Sequence, residues 1–279
     1  MAAAERSSSR TAIGVALQRA LHASLDAPPL LHHDALAPRL LAPADLAAAA
    51  AADCAATRAL RFHCCLRSRF AEDRAALAAA ARGVRRIVVL GAGLDTFALR
   101  QPPGIDEFLE VDHPSSARDK RARLLAAGLA LPANARVVEI DFAAGGTLAE
   151  GLGVAAQPTV FVCLGVIMYL PAEAIDALLR FVAAHPAGSE LIFSFLNDAA
   201  PASPSGALFA GLPGATLAAQ VEGVGEPFLS AHAPAALAEL LRARGFGAVH
   251  MLEAAEAQAA YPSALFPQRW RTSIGFASV

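Results

Sequence analysis

The chain reads as an α/β protein, a mostly parallel, doubly wound sheet preceded by a helical extension. Three observations predict this. Short β-branched runs bounded by glycine, proline or charge recur after residue 85 and alternate with segments of helical length. Residues 1–83 carry helical spacing without such runs, so they read as a helical cap on a domain spanning 84–279. The first apolar run ends directly on Gly91-Ala92-Gly93, a strand-to-turn junction at which such sheets bind ligands.

The elements follow in order. Thr11–Leu25 places Ile13, Ala16, Leu17, Ala20 and Leu21 near helical spacing, and Pro28-Pro29 interrupts the pattern. A long helix is expected from about Asp45 to Phe70, and another from Glu72 to Arg82, closed by Gly83. Arg86–Leu90 (RIVVL) is apolar on both faces, as a buried parallel strand must be. A helix-compatible segment runs from the glycine turn to Arg100. Glu107–Val111 is a second strand ending at Asp112, and Ser115–Leu125 a helix. Arg136–Ile140 is a third strand ending at Asp141-Phe142, and Thr159–Leu164 a fourth. Ala172–Ala184 is an amphipathic helix after Pro171, and Glu190–Phe195 a fifth strand.

Residues 198–226, rich in Pro, Gly, Ala and Ser, read as an insertion or lid. Pro234–Arg244 is a helix closed by Gly245. Ala248–Leu252 and Arg269–Ala277 are final strands; in the last, Trp270, Thr272, Ile274 and Phe276 alternate with Arg271, Ser273 and Gly275.

Composition excludes several function classes. Of the 279 residues 56% are hydrophobic and 17% charged, which provides a sizeable core and argues against disorder. The formal charge of -2 lacks the basic footprint of a nucleic-acid binder. Cys54, Cys64, Cys65 and Cys163 do not fall at zinc-ligand spacing and fit reduced thiols of a cytoplasmic protein. The polar Met1–Arg10 is not a signal peptide, and Leu46–Ala52 is too short to span a bilayer. His32-His33-Asp34 invites a metal reading, but no other ligand cluster supports it, so it reads as a loop.

The loops after residues 90, 111, 141 and 164 should converge on one crevice at the carboxyl ends of the strands. Gly91 and Gly93 permit a sharp turn and let a ligand approach the main chain. Glu110 and Asp112 lie on one side of the second strand, and either carboxylate can take a ribose diol. Asp141 can accept from an adenine amino group or cap a helix, and Phe142 can pack on a purine.

VVLGAGLDTFALR (Val88–Arg100), EVDHP (Glu110–Pro114), IDF (Ile140–Phe142) and LGVIMYLP (Leu164–Pro171) together closely resemble the leucine carboxyl methyltransferase-like family. SRTAIGVALQRA and GEPF (Gly225–Phe228) look like its bacterial and fungal branch of small-molecule O-methyltransferases. The resemblance implies a class I methyltransferase fold, a sheet of about seven strands with the last antiparallel, and S-adenosyl-L-methionine as cofactor. It implies that Gly91, Ala92 and Gly93 line the methionine moiety, with Leu164 and Gly165 nearby. Asp112 would then take the ribose, and Asp141 with Phe142 the adenine. An arginine would pair with the cofactor carboxylate; Arg69 in RSRF matches best, with Arg67 its rival. Many relatives carry a glutamate where this chain has Leu164, which points away from protein carboxyl methylation and toward a small-molecule acceptor.

A carboxylate acceptor needs no base, whereas a hydroxyl acceptor would, with Tyr169, His113 and His232 as candidates. Two other readings stand beside this one. A nucleotide-dependent oxidoreductase would want a third small residue after the glycine pair, where the chain reads G-A-G-L-D-T. A non-catalytic cofactor-binding protein would bind without turnover. The apolar character of the N-terminal region and of 198–226 points to a hydrophobic small-molecule substrate, with neither nucleic acid nor membrane as partner.

Overall fold

A computed structural model of the chain describes residues 9–141, 146–197, 226–267 and 273–279. The N-terminal region holds helices α1 (Arg10–Leu25), α2 (Pro43–Ala51) and α3 (Ala55–Arg82). The long helix expected from Asp45 divides earlier than expected, at Ala52–Cys54. There Asp53 and the Cys54–Thr57 capping contacts stop one helix and start the next. No breaker separates Phe70 from Glu72, so α3 runs on for 28 residues to Gly83, whose left-handed φ of 66° closes it.

Seven strands follow: β1 (Arg86–Leu90), β2 (Glu107–Asp112), β3 (Ala135–Glu139), β4 (Thr159–Cys163), β5 (Glu190–Ser194), β6 (Ala248–Met251) and β7 (Ile274–Ser278). They form one sheet in the order β3-β2-β1-β4-β5-β7-β6. β1 to β5 pair in parallel, and β7 runs antiparallel to both β5 and β6. The last strand is therefore the antiparallel one, as the resemblance implied. Order reverses at β1, which lies between β2 and β4, so the switch point falls at the glycine turn.

Helices α4 (Pro114–Ala126), α5 (Leu148–Leu152), α6 (Ala172–Ala183), α7 (Pro234–Ala243) and α8 (Ala254–Ala260) complete the described elements. The short α5 and α8 have no counterpart in the sequence reading, because one or two turns leave too little periodicity to see. Residues Phe97–Leu99 make only a 3-10 turn where a helix-compatible segment was expected. The Asp95 side chain accepts the Phe97 N–H at 2.6 Å, and Arg100 is drawn away into an ion pair with Glu72. The insertion or lid expected at 198–226, apart from Glu226, and the first part of the expected last strand (269–272) lie outside the described residues.

Alternate strand residues explain the unbroken apolar runs. Ile87, Val89 and Val160 pack against Phe62, Leu66 and Phe70 of α3. Val88, Leu90 and Phe161 face Leu178 and Val182 of α6 and Leu237 of α7. A smaller cluster joins Ala16 and Ala20 of α1 to Leu94, just past the glycine turn. No described helix is long and apolar enough to cross a membrane.

Candidate active site

The strand tips put Gly91, Asp112, Asp141 and Gly165 along one edge of the sheet. Gly91 and Gly93 have φ of 67° and 48°, a region that side chains with a Cβ resist. A Cβ on Gly91 would also lie 2.4 Å from Val166 Cγ2, so this turn requires glycine on two counts. The Gly91 N–H donates to the Val111 carbonyl at 2.7 Å, seating the turn on β2. Ala92 is buried beneath it.

Glu110 and Asp112 were equal candidates by alternation, and the packing separates them. Glu110 is fully enclosed and pairs with Lys120 of α4 at 2.7 Å. Asp112 stands at the mouth, where its carboxylate accepts the backbone N–H groups of Gly93 and of His113. Burial raises the Asp112 pKa, and those two N–H donors pull against it.

His113 caps α4, its side chain accepting from the Ser115 N–H, and its Nε2 lies 3.2 Å from Asp141 Oδ2. It therefore sits beside the β3 tip and between the two acids. Asp141 follows Ile140, whose N–H donates to the Asp112 carbonyl at 2.9 Å. Phe142, its companion in the sequence reading, lies outside the described residues.

The two candidate arginines part company on α3. Arg69 is 45% exposed and forms an i,i+4 ion pair with Asp73 at 2.8 Å. Arg67, two residues earlier and so on another helix face, is only 7% exposed. Its guanidinium lies against Gly165 at the β4 tip, where a Cβ would come within 2.9 Å of both terminal nitrogens. Gly165, with φ of 71°, leaves room for it, and its N–H donates to Ser194 Oγ at 2.8 Å. Among the described residues none pairs with Arg67. Leu164, beside it, is half-buried against the α3-side core.

Over the crevice lies α1. Its Ala12 touches Gly93, its Arg19 donates to the Leu94 carbonyl at 2.8 Å, and Glu226 accepts the Arg10 N–H at 3.0 Å. The Ser9 and Thr11 hydroxyls also donate to Glu226, so one carboxylate gathers the Arg10 N–H and two hydroxyls at the helix start, while the Ala12 N–H is taken by Ser9 Oγ. Sequence reasoning missed Glu226; the GEPF segment was noticed, but its partner is more than two hundred residues away. Tyr169, in the 3-10 turn Ile167–Tyr169, stacks on Phe228 with ring centroids 5.3 Å apart. Burial pushes its phenol up to about 12, against a hydrogen bond with Thr11. The His232 N–H donates to the Leu196 carbonyl at 2.8 Å. His32 and Asp34, the metal-like pair, are engaged by Glu72 at 2.9 Å and by Arg19 at 3.0 Å.

Known proteins share this frame. A protein of Mycobacteroides abscessus named "Putative S-adenosyl-L-methionine-dependent methyltransferase" is 39% identical over 175 residues, covering 60% of this chain and 57% of that protein. One of Bacillus subtilis with the same designation is 33% identical over 121 residues, or 42% and 40% of the two chains. The chain thus spans about half the length of the curated relatives it matches. Among solved structures, a DUF574-family protein from Streptomyces avermitilis superposes with a TM-score of 0.56 at 16% identity, covering 97% of each chain. A structure from Thermobifida fusca named "putative methyltransferase" gives a TM-score of 0.55 at 15% identity, covering 98% of this chain and 95% of that one. These two establish the class I methyltransferase fold. The family model for leucine carboxyl methyltransferase matches residues 12–183, well over half the chain, and covers α1, the arginines of α3, the glycine turn and both acids. The chain belongs to the leucine carboxyl methyltransferase family.

Proposed function

We propose that the chain is a methyltransferase that uses S-adenosyl-L-methionine and transfers its methyl group to an oxygen of an apolar small molecule. The observation that carries this reading is Arg67. Arg67 is held at the strand tips with its guanidinium against Gly165 and no ion-pair partner among the described residues, so the cation kept there argues for a ligand that brings the anion. The carboxylate of the methionine moiety fits, because a guanidinium fork meets a carboxylate at two points. This transfers the role expected of Arg69 to Arg67.

The remaining groups fit the same ligand in order along the sheet edge. Gly91 and Gly93 let the main chain approach it, with Ala92 beneath and Gly165 and Leu164 flanking the arginine. Asp112 takes the ribose hydroxyls, and Asp141 the adenine amino group, with Phe142 beside it in sequence. When bound, the cofactor supplies an activated methyl group on a sulfonium, which needs no protein nucleophile. The protein's contribution is alignment and exclusion of water. α1, held down by Glu226 and Arg19, roofs the crevice.

Of the bases considered for a hydroxyl acceptor, His113 lies at the adenine end. Tyr169, with its phenol up at about 12, keeps its proton at neutral pH and serves as a donor or wall. Both placements favour an acceptor oxygen that arrives ionised, such as a carboxylate. Tyr169 and Phe228 then line the acceptor side as an apolar wall.

The oxidoreductase reading loses ground for a local reason. A dinucleotide pyrophosphate rests on a helix N-terminus directly after the glycine turn. Here that place holds the single 3-10 turn Phe97–Leu99. Isothermal titration of the purified chain with S-adenosylhomocysteine and with NAD decides between them. Binding of the first and not the second is expected; the reverse ends the proposal. Mass spectrometry of extract incubated with labelled cofactor then identifies the acceptor, and label appearing only on protein would overturn the small-molecule part.

A further inference from the structure

We propose that His113 is a positioning residue for nucleobase recognition, its imidazole fixed in one tautomer by the start of α4 so that it holds Asp141 toward an adenine amino group. The inference rests on the reading of Asp141 as the adenine acid. A backbone N–H can only donate, and the Ser115 N–H points at His113 Nδ1 from 3.1 Å. Nδ1 therefore presents its lone pair, and the hydrogen of the neutral ring sits on Nε2. That nitrogen faces Asp141 Oδ2 at 3.2 Å and donates to it.

The same residue grips the neighbouring acid through its main chain, the His113 N–H donating to Asp112 Oδ1 at 2.7 Å. Pro114 at the first helical position narrows the backbone choices on either side. One residue thus ties the α4 N-terminus to both carboxylates at the sheet edge. The side chains of His113 and Asp141 are 28% and 34% exposed, so their contact adds little to stability. Its consequence is directional: a carboxylate held at the position of the 6-substituent both accepts from an amino group and repels an oxo group, and one turned away from that position does neither well.

Adenine carries a 6-amino donor, and hypoxanthine a 6-oxo acceptor in its place. An aimed carboxylate accepts from the first and repels the second. The test compares dissociation constants of S-adenosylhomocysteine and S-inosylhomocysteine for the purified full chain. The unmodified chain should favour adenine by about tenfold or more, the scale of one hydrogen bond to a charged group. His113→Asn keeps a short acceptor for the α4 start but falls short of Asp141. It should hold the thermal midpoint while the preference shrinks several-fold. His113→Gln reaches Asp141 without capping the helix, so it should lower the midpoint and keep the preference.

A His113→Asn chain with the unmodified preference overturns the inference. Asp141→Asn separates the two ways of failing. If it too leaves the preference unchanged, the adenine reading of Asp141 falls and takes the inference with it. If it alone abolishes the preference, Asp141 reads adenine and only the role of His113 is discarded.

Discussion

Arg67 and Arg69 are the same residue type two positions apart on one helix, and their surroundings give them opposite fates. Arg69 spends its charge on Asp73 in water, where such a pair contributes little. Arg67 is enclosed against Gly165 and unpaired among the described residues. Arg67→Met should therefore weaken S-adenosylhomocysteine binding by about ten- to a hundredfold, the scale of a charge-assisted hydrogen bond. Arg69→Met should leave it within about twofold. Titration calorimetry on the two variants reads this, and equal effects would reject the assignment.

Glu110 and Lys120 make the complementary point. Each is nearly inaccessible, and burial raises the Glu110 pKa while Lys120 opposes it. Removing one partner strands the other, so Lys120→Met should cost about 3–5 kcal/mol of unfolding free energy. Adding Glu110→Leu to it should recover most of the loss in denaturant titration, since an apolar pair of similar volume fits a buried ion-pair site.

At the scale of elements, α1 is the piece whose placement matters most. Few large apolar groups hold it; its cluster with Leu94 and Leu41 is mostly alanine. An ion network supplies the anchorage: Arg19 with Asp34 at 3.0 Å, and Glu72 with Arg100 at 2.7 Å. Burial opposes ionisation of both acids, but Arg19 and Arg100 outweigh it at Asp34, as His32 and Arg100 do at Glu72. Both are held down at about 2, from ordinary values of 3.8 and 4.5. A lowered folded-state pKa gives stability that is complete above the unfolded value and lost as pH falls toward the folded one. The thermal midpoint should thus hold down to about pH 4.5 and fall steeply toward pH 2. Asp34→Asn should lower the neutral-pH midpoint, flatten that acid slope, and speed amide exchange in α1 ahead of the sheet. An unchanged acid profile in Asp34→Asn would show that the anchorage lies elsewhere.

For the molecule as a whole, a ligand that spans β4, β1, β2 and β3 at their tips joins elements that are otherwise connected only through the sheet. S-adenosylhomocysteine at about a hundred times its dissociation constant should add roughly 2.7 kcal/mol, a rise of several degrees in the midpoint. NAD at the same concentration should add nothing, and differential scanning fluorimetry reads both.

Much of this architecture was legible from local pattern. The runs RIVVL, TVFVCL and ELIFSF announce parallel strands because a strand covered on both faces must be apolar throughout, and here α3 lies on one side and α6 and α7 on the other, whereas the edge strand from RVVEI is only half covered. Gly91 and Gly93 announce the turn because their φ values exclude most other residues. The division between α2 and α3 and the failed helix after Gly93 were not legible. Each is decided by a side chain satisfying a backbone group, Thr57 at Cys54 and Asp95 at Phe97, against a background of good helix formers.

Local sequence by itself determined the strands, the glycine turn and the acids at the tips, because these depend on neighbours within a few residues. Which arginine faces the crevice, which of Glu110 and Asp112 stays in reach, and where His113 points were decided only by tertiary structure. Those choices depend on burial and on charges contributed by distant segments: Gly165 for Arg67, Lys120 for Glu110, Asp141 for His113. Periodicity assigns a residue to a face, but the partner waiting on that face is known only once the chain has folded back upon it.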